Sequence, residues 1–183
     1  MITLKSNILS FSECDEIIFN CKNKMEPSMI VTSNGPKLDP WRISDSTYIY
    51  ENPPIIQKIK NITSQITQLP ISYQEPISVI RYKTGGEYKY HTDYIDYIPS
   101  DPKRNRAYSC MFYLNDDLEG GETHFPKLQL SIKPTKGTLV KWDNLNLDDT
   151  PNPNSLHAGL PVTKGEKWIL IIWVNEKKMK KYI

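Results

Sequence analysis

Cysteine, histidine and long apolar runs are all scarce in this chain of 183 residues. Its three cysteines, Cys14, Cys21 and Cys110, cannot all pair with one another, and none belongs to a CxxC motif. A disulfide scaffold or a structural zinc site is therefore not indicated. No stretch reaches the ~18 apolar residues of a membrane span, and the amino terminus lacks the apolar core of a secretory signal. We expect a soluble, cytoplasmic protein that has no membrane partner.

An excess of charge of one sign is also missing. The 23 Lys and Arg residues nearly balance the 21 Asp and Glu residues, which leaves a formal net charge of +2. A dedicated nucleic-acid-binding protein presents a strongly basic surface, so a nucleic-acid partner is not indicated. The length and a hydrophobic content of 38% suit one core. We predict a single domain over residues 1–183, and the composition leaves its oligomeric state open.

Residues 1–75 are predicted to form a helical support and one strand that leads into the core. Ser10 and Glu13 have the spacing of a capping box, and apolar residues recur behind them at three- and four-residue intervals. A second helix begins at Pro53 and ends before Pro70. One face of this second helix is apolar and contains Ile55, Ile59, Ile62, Ile66 and Leu69.

From residue 76 onward, short β-rich runs alternate with Gly, Pro, Asn and Asp, which is typical of a sandwich or a barrel. About eight strands behind two helices favour a mainly β fold with flanking helices. We predict a double-stranded β-helix, or jelly roll, over residues 76–176, buttressed by the amino-terminal α-helices. The predicted strands are 46–50 in the amino-terminal part and then 77–82, 89–93, 108–114, 122–125, 128–132, 138–142, 155–158 and 168–174.

Two of the three histidines stand in a pattern that suggests a metal site. His91 and Asp93 form an HxD pair within one predicted strand, and His157 follows 66 residues after His91 in another. Because side chains alternate along a strand, residues 91 and 93 project to the same face and can converge on one ion. The remaining histidine, His124, is the alternative third ligand. Its neighbour Phe125 is expected to face the core, which turns His124 outward.

Two histidines and one carboxylate bind one face of an octahedral metal and leave the opposite positions open. This arrangement suits non-haem Fe(II), which needs open positions for both a cosubstrate and dioxygen. Zinc instead prefers four ligands and at most one open position. The pattern therefore predicts an iron site formed by His91, Asp93 and His157.

Three further blocks of sequence follow one another across about half of the chain. Residues 80–93 contain Tyr82, a Gly-Gly pair and the HxD pair, and residues 113–126 contain YLND followed by GGETHFP. Residues 157–173 place Lys167 ten residues after the distal histidine. In their content and order these blocks resemble the 2-oxoglutarate-dependent dioxygenases of the prolyl 4-hydroxylase type.

The resemblance implies a jelly-roll fold with Fe(II) at the three residues of the predicted metal site. It also implies that Lys167 pairs with the distal carboxylate of 2-oxoglutarate, that Tyr82 donates to this carboxylate, and that Thr123 lies beside the cosubstrate. A buried dianion needs such a compensating cation and good hydrogen bonds. Matching positions imply that three residues contact a peptide substrate: Tyr88, Arg106 and Trp173.

The activity implied by the resemblance is hydroxylation of prolyl residues in a proline-containing peptide or protein. Dioxygen is the second cosubstrate, 2-oxoglutarate is converted to succinate and CO2, and ascorbate is the expected reductant of the iron. No catalytic side chain beyond the metal ligands is required.

Strand periodicity supports one of the predicted substrate contacts and complicates another. Trp173 shares its parity with Lys167, so both are expected to point into the barrel. Tyr88 shares its parity with Tyr90 rather than with His91, so a place in the site requires an irregular strand start after the Gly-Gly pair.

Two irregular stretches adjoin the predicted site. The turn-rich segment 94–106 follows the HxD strand, and we interpret it as a lid over the substrate. The segment 143–154 is interpreted as a plain connection between two strands.

Two alternatives remain open. The same chemistry could serve a different acceptor, such as a lysyl or other side chain, a small molecule or a nucleobase. Lysine rather than arginine at position 167 favours resemblance to prolyl 4-hydroxylases over nucleic-acid demethylases. A catalytically silent jelly-roll binding module is disfavoured, because an inert scaffold has no reason to keep a buried cation beside three potential ligands.

Overall fold

The computed structural model describes residues 1–32, 35–95 and 105–176. Within these residues there are two α-helices, α1 (Phe11–Cys21) and α2 (Pro54–Thr67). Neither is long and apolar enough to cross a membrane. Most of the segment predicted as a lid, residues 96–104, lies outside the described residues.

Both helices begin where the sequence predicts, and α2 ends before Pro70 as expected. Ser10 caps α1, since its hydroxyl accepts from the Glu13 N–H at 3.2 Å while the Glu13 carboxylate accepts from the Ser10 N–H at 2.7 Å. Lys58 of α2 donates to the Glu13 carboxylate at 2.7 Å and so links the two helices. Pro54 occupies the first turn of α2, and Gln68 ends it in the left-handed conformation.

Outside the helices the regular structure consists of short strands, with 3-10 turns at Ile71–Tyr73, Pro126–Leu128 and Pro153–Ser155. In chain order the strands are β1 (Ile2–Lys5), β2 (Glu26–Pro27), β3 (Ile30–Thr32), β4 (Gly35–Lys37), β5 (Arg42–Ile43), β6 (Asp45–Ile49), β7 (Ile77–Tyr82), β8 (Glu87–His91), β9 (Arg106–Tyr113), β10 (Glu119–Gly120), β11 (Thr123–Phe125), β12 (Leu130–Ile132), β13 (Leu139–Asp143), β14 (His157–Gly159), β15 (Val162–Lys164) and β16 (Lys167–Asn175).

The strands pair antiparallel in two principal sheets. The major sheet has the order β1-β13-β9-β16-β7-β6-β2, and the minor sheet has the order β12-β11-β14-β8-β5. Two short pairs, β10-β15 and β3-β4, complete the described topology. The crossovers between the two sheets are those of a jelly roll, so the predicted fold class is confirmed.

The nine residues of β16 are all buried, and their side chains serve two different cores. The even-numbered residues from Trp168 to Val174 pack with α1 and α2 on the outer side of the major sheet. Ile169, Ile171 and Trp173 pack in the barrel between the sheets. Helices therefore cover one face of the major sheet, and the other face lines the barrel.

Several predictions about strands need correction. The strand predicted at 89–93 is β8, which starts and ends two residues earlier because it pairs with β5 through Arg42–Tyr88 and Ile43–Glu87. Asp93 consequently lies beyond the strand end.

Other short strands were missed. The single strand predicted within residues 1–75 is β6, whereas β1–β5, β10 and β15 were not predicted. Strand β1 pairs along its whole length with β13. The strands predicted at 128–132 and 155–158 begin in 3-10 turns, so β12 and β14 start two residues later.

The layer between the helices and the major sheet should account for much of the stability. Phe112 is fully buried there, whereas Phe19 on α1 is 67% exposed. We expect Phe112→Ala to lower the free energy of unfolding by about 3–5 kcal/mol because it leaves a cavity. Phe19→Ala is the matched control and should change it by less than about 0.5 kcal/mol. Urea unfolding of both variants measures the difference, and equal effects would contradict this assignment of the core.

Candidate iron and 2-oxoglutarate site

His91, Asp93 and His157 meet where β8 and β14 pair inside the barrel. His157 lies directly opposite His91 in the register, and Asp93 follows two residues after His91. One potential ligand atom from each residue lies within 4.8 Å of the others. His91 Nε2 is 3.8 Å from Asp93 Oδ1, and His157 Nε2 is 4.0 Å from Asp93 Oδ2. The three residues named from the sequence are therefore brought together.

Hydrogen bonds fix which nitrogen of each histidine faces the cluster. His91 Nδ1 lies 2.7 Å from the Lys89 carbonyl oxygen, and His157 Nδ1 lies 2.8 Å from the Ser155 carbonyl oxygen. A carbonyl oxygen only accepts, so each Nδ1 must carry the hydrogen. The Nε2 lone pairs are left free to bind a metal.

The charges in the cluster suit a cation. Burial, and then the neighbouring His157 ring, hold the pKa of His91 far below its usual value, which keeps the ring neutral. Burial alone would raise the pKa of Asp93, but charge interactions with His157, His91 and Arg106, followed by a hydrogen bond from Ser109, outweigh it and lower the pKa. Neutral imidazoles and an ionised carboxylate are the protonation states that a metal requires.

Strand alternation does not explain the orientation of Asp93. Because this residue lies past the end of β8, its carboxylate is positioned by Ser109 of β9, whose hydroxyl donates to Oδ2 at 2.6 Å. Ser109 in turn accepts from Asn144 at 2.9 Å. Neither Ser109 nor Asn144 was predicted to belong to the site. Asn144 lies in the segment 143–154, which was interpreted as a plain connection, and this interpretation does not hold for Asn144. Ser109 and Tyr113 are four residues apart on β9 and therefore project to the same face. This alternation could have predicted that Ser109 points into the barrel.

Tyr88 reaches the site through a bulge. Between the pairs His157–His91 and Gly159–Tyr88, β8 has one residue more than β14, so Tyr88 and His91 lie on the same side. Their rings stack with centroids 3.4 Å apart. An irregularity was predicted after the Gly-Gly pair, and it occurs within β8 instead. Arg42 of β5 also lies over the Tyr88 ring, with its guanidinium carbon 5.0 Å from the ring centroid.

Lys167 is almost fully buried in the same cavity. Burial lowers its pKa to about 7. Its Nζ lies 5.3 Å from the ring centroid of Tyr82, which is its partner in the register, and 5.7 Å from that of Tyr113. In the described part of the chain, no carboxylate lies within 4.0 Å of this ammonium group.

The surroundings of Lys167 leave room beside its ammonium group. A β-carbon at Gly159 would lie 3.7 Å from Nζ, so glycine keeps this space open. Thr123 lines the same cavity, and its hydroxyl accepts from the Tyr113 hydroxyl at 2.7 Å. Tyr113 was not named among the predicted site residues, although its inward parity on β9 could have indicated it.

Trp173 and Arg106, the other two residues predicted to contact a substrate, differ in how far their polar groups are already hydrogen-bonded. Trp173 lines the cavity, and its indole N–H has no partner among the described residues. Arg106 stacks on Trp173, with its guanidinium carbon 3.8 Å from the ring centroid. Glu75 binds the same guanidinium through two hydrogen bonds of 2.8 and 2.9 Å. Arg106 is thus held in place by an ion pair that the sequence did not predict.

His124 lies outside the cluster, as predicted. Its neighbours Thr123 and Phe125 are buried, and His124 Nδ1 lies 2.7 Å from the Tyr90 hydroxyl on the outer side of the minor sheet.

Comparison with known proteins identifies the family. Residues 77–175 match the model of the 2OG-Fe(II) oxygenase superfamily. Prolyl 4-hydroxylase 1 of Arabidopsis thaliana is 33% identical over 96% of this chain and 69% of its own length. Prolyl 4-hydroxylase subunit alpha-1 of Bos taurus is 35% identical over 75% of this chain, which spans only 27% of that subunit.

A solved structure agrees with these matches. The 2OG complex of the viral collagen prolyl hydroxylase from Paramecium Bursaria Chlorella virus-1 has a TM-score of 0.78 and 31% identity, with 95% of both chains covered. The chain therefore belongs to the 2OG-Fe(II) oxygenase superfamily. Within it, this is a dioxygenase of the prolyl 4-hydroxylase type, whose metal is Fe(II) and whose cosubstrate is 2-oxoglutarate.

The three histidines allow a direct test of the metal site. We expect His157→Ala to weaken Fe(II) binding by more than about 100-fold, beyond the loss typical of an outer-shell partner. His124→Ala, the control, should bind Fe(II) like the wild-type protein because this ring lies outside the cluster. Anaerobic titration against a chromophoric chelator measures both affinities, and unchanged binding by His157→Ala would remove this residue from the site.

Proposed function

We propose that this protein hydroxylates prolyl residues in a peptide or protein, with Fe(II) bound by His91, Asp93 and His157. The observation that carries the proposal is the buried Lys167 ammonium group, which has no carboxylate within 4.0 Å among the described residues and faces the same cavity as the three candidate ligands. A buried cation is costly unless an anion compensates it. A dicarboxylate that also binds the metal satisfies both requirements.

The residues present fit the metal and the cosubstrate. Two neutral imidazoles and one carboxylate are the donor set of non-haem Fe(II) oxygenases. When bound, Fe(II) and 2-oxoglutarate supply the oxidising chemistry, with release of succinate and CO2.

The protein holds and orients the cosubstrate. In this proposal Lys167 binds the distal carboxylate, and Tyr82 donates its hydroxyl hydrogen to the same group. The pairing of Lys167 with Tyr82 in the register supports these two roles. Thr123 lines the same cavity, and its hydroxyl accepts a hydrogen bond from the Tyr113 hydroxyl. Ile169 and the other apolar side chains that line the cavity exclude water, which strengthens these electrostatic contacts.

The peptide is proposed to lie over Tyr88 and Trp173. The Tyr88 ring stacks on His91, so an acceptor that contacts the edge of this ring lies next to the metal ligands. The free indole N–H of Trp173 can donate to a peptide carbonyl. Arg106 stabilises the position of the Trp173 ring, because Glu75 holds the Arg106 guanidinium against that ring. Ascorbate is proposed as the reductant that keeps the iron in its Fe(II) state.

Mass spectrometry of peptides tests the proposed substrate. Proline-rich peptides incubated with enzyme, Fe(II), ascorbate and 2-oxoglutarate should gain one oxygen on proline, in step with succinate release. The matched substrate control replaces each proline by alanine, and His157→Ala is the enzyme control. Succinate release with no oxygen on any proline peptide would indicate a different acceptor, and no succinate in any condition would contradict the oxygenase assignment for this chain.

The pKa of Lys167 gives a second test. In the free protein this pKa is about 7, whereas binding a carboxylate requires the protonated amine. The affinity for 2-oxoglutarate should therefore be constant below pH 7 and fall above it by roughly tenfold per pH unit. Lys167→Met should weaken binding by about 2–5 kcal/mol and lose this slope.

Calorimetry in buffers of different ionisation enthalpy measures both the affinity and the proton taken up on binding. Lys83→Met is the control, since this lysine lies on the surface and forms an ion pair with Asp45. A pH slope that persists in Lys167→Met would show that another group takes up the proton.

A further inference from the structure

A chain of buried hydrogen bonds leads away from the metal cluster on the side of Asp93. The Ser109 hydroxyl donates to Asp93 Oδ2 at 2.6 Å, and Asn144 Nδ2 donates to Ser109 Oγ at 2.9 Å. The exposed fractions of Asp93, Ser109 and Asn144 are 5%, 0% and 0%. Solvent therefore does not compete for these contacts, and each one constrains its neighbour.

The chemistry of the groups fixes the direction of every hydrogen bond. An ionised carboxylate only accepts, so Ser109 must give its single hydrogen to Asp93. The remaining lone pairs of Ser109 then require a donor, and only the amide nitrogen of Asn144 can provide one. The orientation of the Asn144 amide thus follows from the charge of Asp93.

The backbone around Asn144 makes this arrangement rigid. Its N–H donates to the Ala107 carbonyl at 2.8 Å, and its own carbonyl accepts from the Asn152 N–H at 2.9 Å. The Asn152 carbonyl accepts from the Ser155 hydroxyl at 2.8 Å, and the Ser155 carbonyl accepts from His157 Nδ1. The stretch from Asn144 to Ser155 therefore supports two of the three candidate ligands.

We propose that Ser109 and Asn144 are positioning residues that fix the orientation of the Asp93 carboxylate in the metal cluster. Ser109 donates to Oδ2, which lies 4.0 Å from His157 Nε2, while Oδ1 lies 3.8 Å from His91 Nε2. The hydrogen bond therefore sets the rotation at which each carboxylate oxygen faces one of the two histidine nitrogens. Outer-shell hydrogen bonds of this kind orient a ligand and raise the affinity for the metal. This inference rests on the iron site of the proposed function.

A purely structural role for Ser109 predicts a different outcome. In that case its loss would lower the stability of the fold and leave the affinity for the metal unchanged. If Ser109 positions Asp93, its loss releases the carboxylate, and both metal binding and the subsequent binding of 2-oxoglutarate change.

Metal and cosubstrate affinities test the proposal without any turnover. The protein is titrated anaerobically with Fe(II) against a chromophoric chelator, and then at saturating Fe(II) with 2-oxoglutarate, followed by the charge-transfer absorption of the chelate. Ser109→Ala should bind Fe(II) about 10–100-fold more weakly, the loss typical of an outer-shell partner. Its affinity for 2-oxoglutarate at saturating metal should fall as well. Ser109→Thr keeps the hydroxyl and should restore both affinities.

Two further variants separate this effect from misfolding. Ser78→Ala removes a buried serine from β7 of the same sheet and should leave both affinities unchanged. Ser109→Ala combined with Asn144→Leu removes both polar side chains together, so the Asn144 amide is not left without its acceptor as it would be in Ser109→Ala alone. This double variant should still bind Fe(II) weakly.

Wild-type affinities in both Ser109→Ala and the double variant would overturn the proposal. Because neither titration contains peptide or dioxygen, the result is independent of the acceptor. A wild-type protein that binds Fe(II) and 2-oxoglutarate yet oxidises no prolyl peptide would contradict the proposed function and leave this inference intact.

Discussion

The burial of the Lys167 ammonium group constrains the rest of the site. Desolvation makes a cation costly in the barrel, and the described residues offer it no acid within ion-pair distance. The free protein therefore carries an electrostatic cost that an anionic ligand removes. The position of Lys167 at the start of β16, opposite Tyr82, fixes where the distal end of that ligand lies. The three residues of the metal cluster line the same cavity, so one ligand can contact both this cluster and Lys167.

The iron site depends on two different kinds of support. The histidines are oriented by backbone carbonyls within two residues of each ring, so their positions follow from local structure. Asp93 lies beyond a strand end and depends on Ser109 and Asn144, which are 16 and 51 positions away in the sequence. The carboxylate is thus the ligand whose geometry is set by tertiary packing.

The same distinction explains how much could be predicted from the sequence. Periodicity located both helices, the inward parity of Lys167 and Trp173, and the outward turn of His124, because these depend on near neighbours. The bulge that brings Tyr88 over His91, the ion pair of Arg106 with Glu75, and the hydrogen bond from Ser109 to Asp93 depend on which strands become neighbours. Residue spacing contains no direct signal for such long-range pairs, so these features became visible only in the folded chain.

Strand β16 has a consequence for how this protein tolerates change. Its residues alternate between the core beneath the helices and the barrel. The packing of both layers therefore depends on the register of this one strand. Insertion or deletion of a single residue near its start would exchange the two faces, placing Trp168 in the barrel and Lys167 among the apolar side chains beneath the helices. We therefore expect β16 not to tolerate insertions or deletions. Its sequence can change only by substitutions that keep the alternation between the two faces.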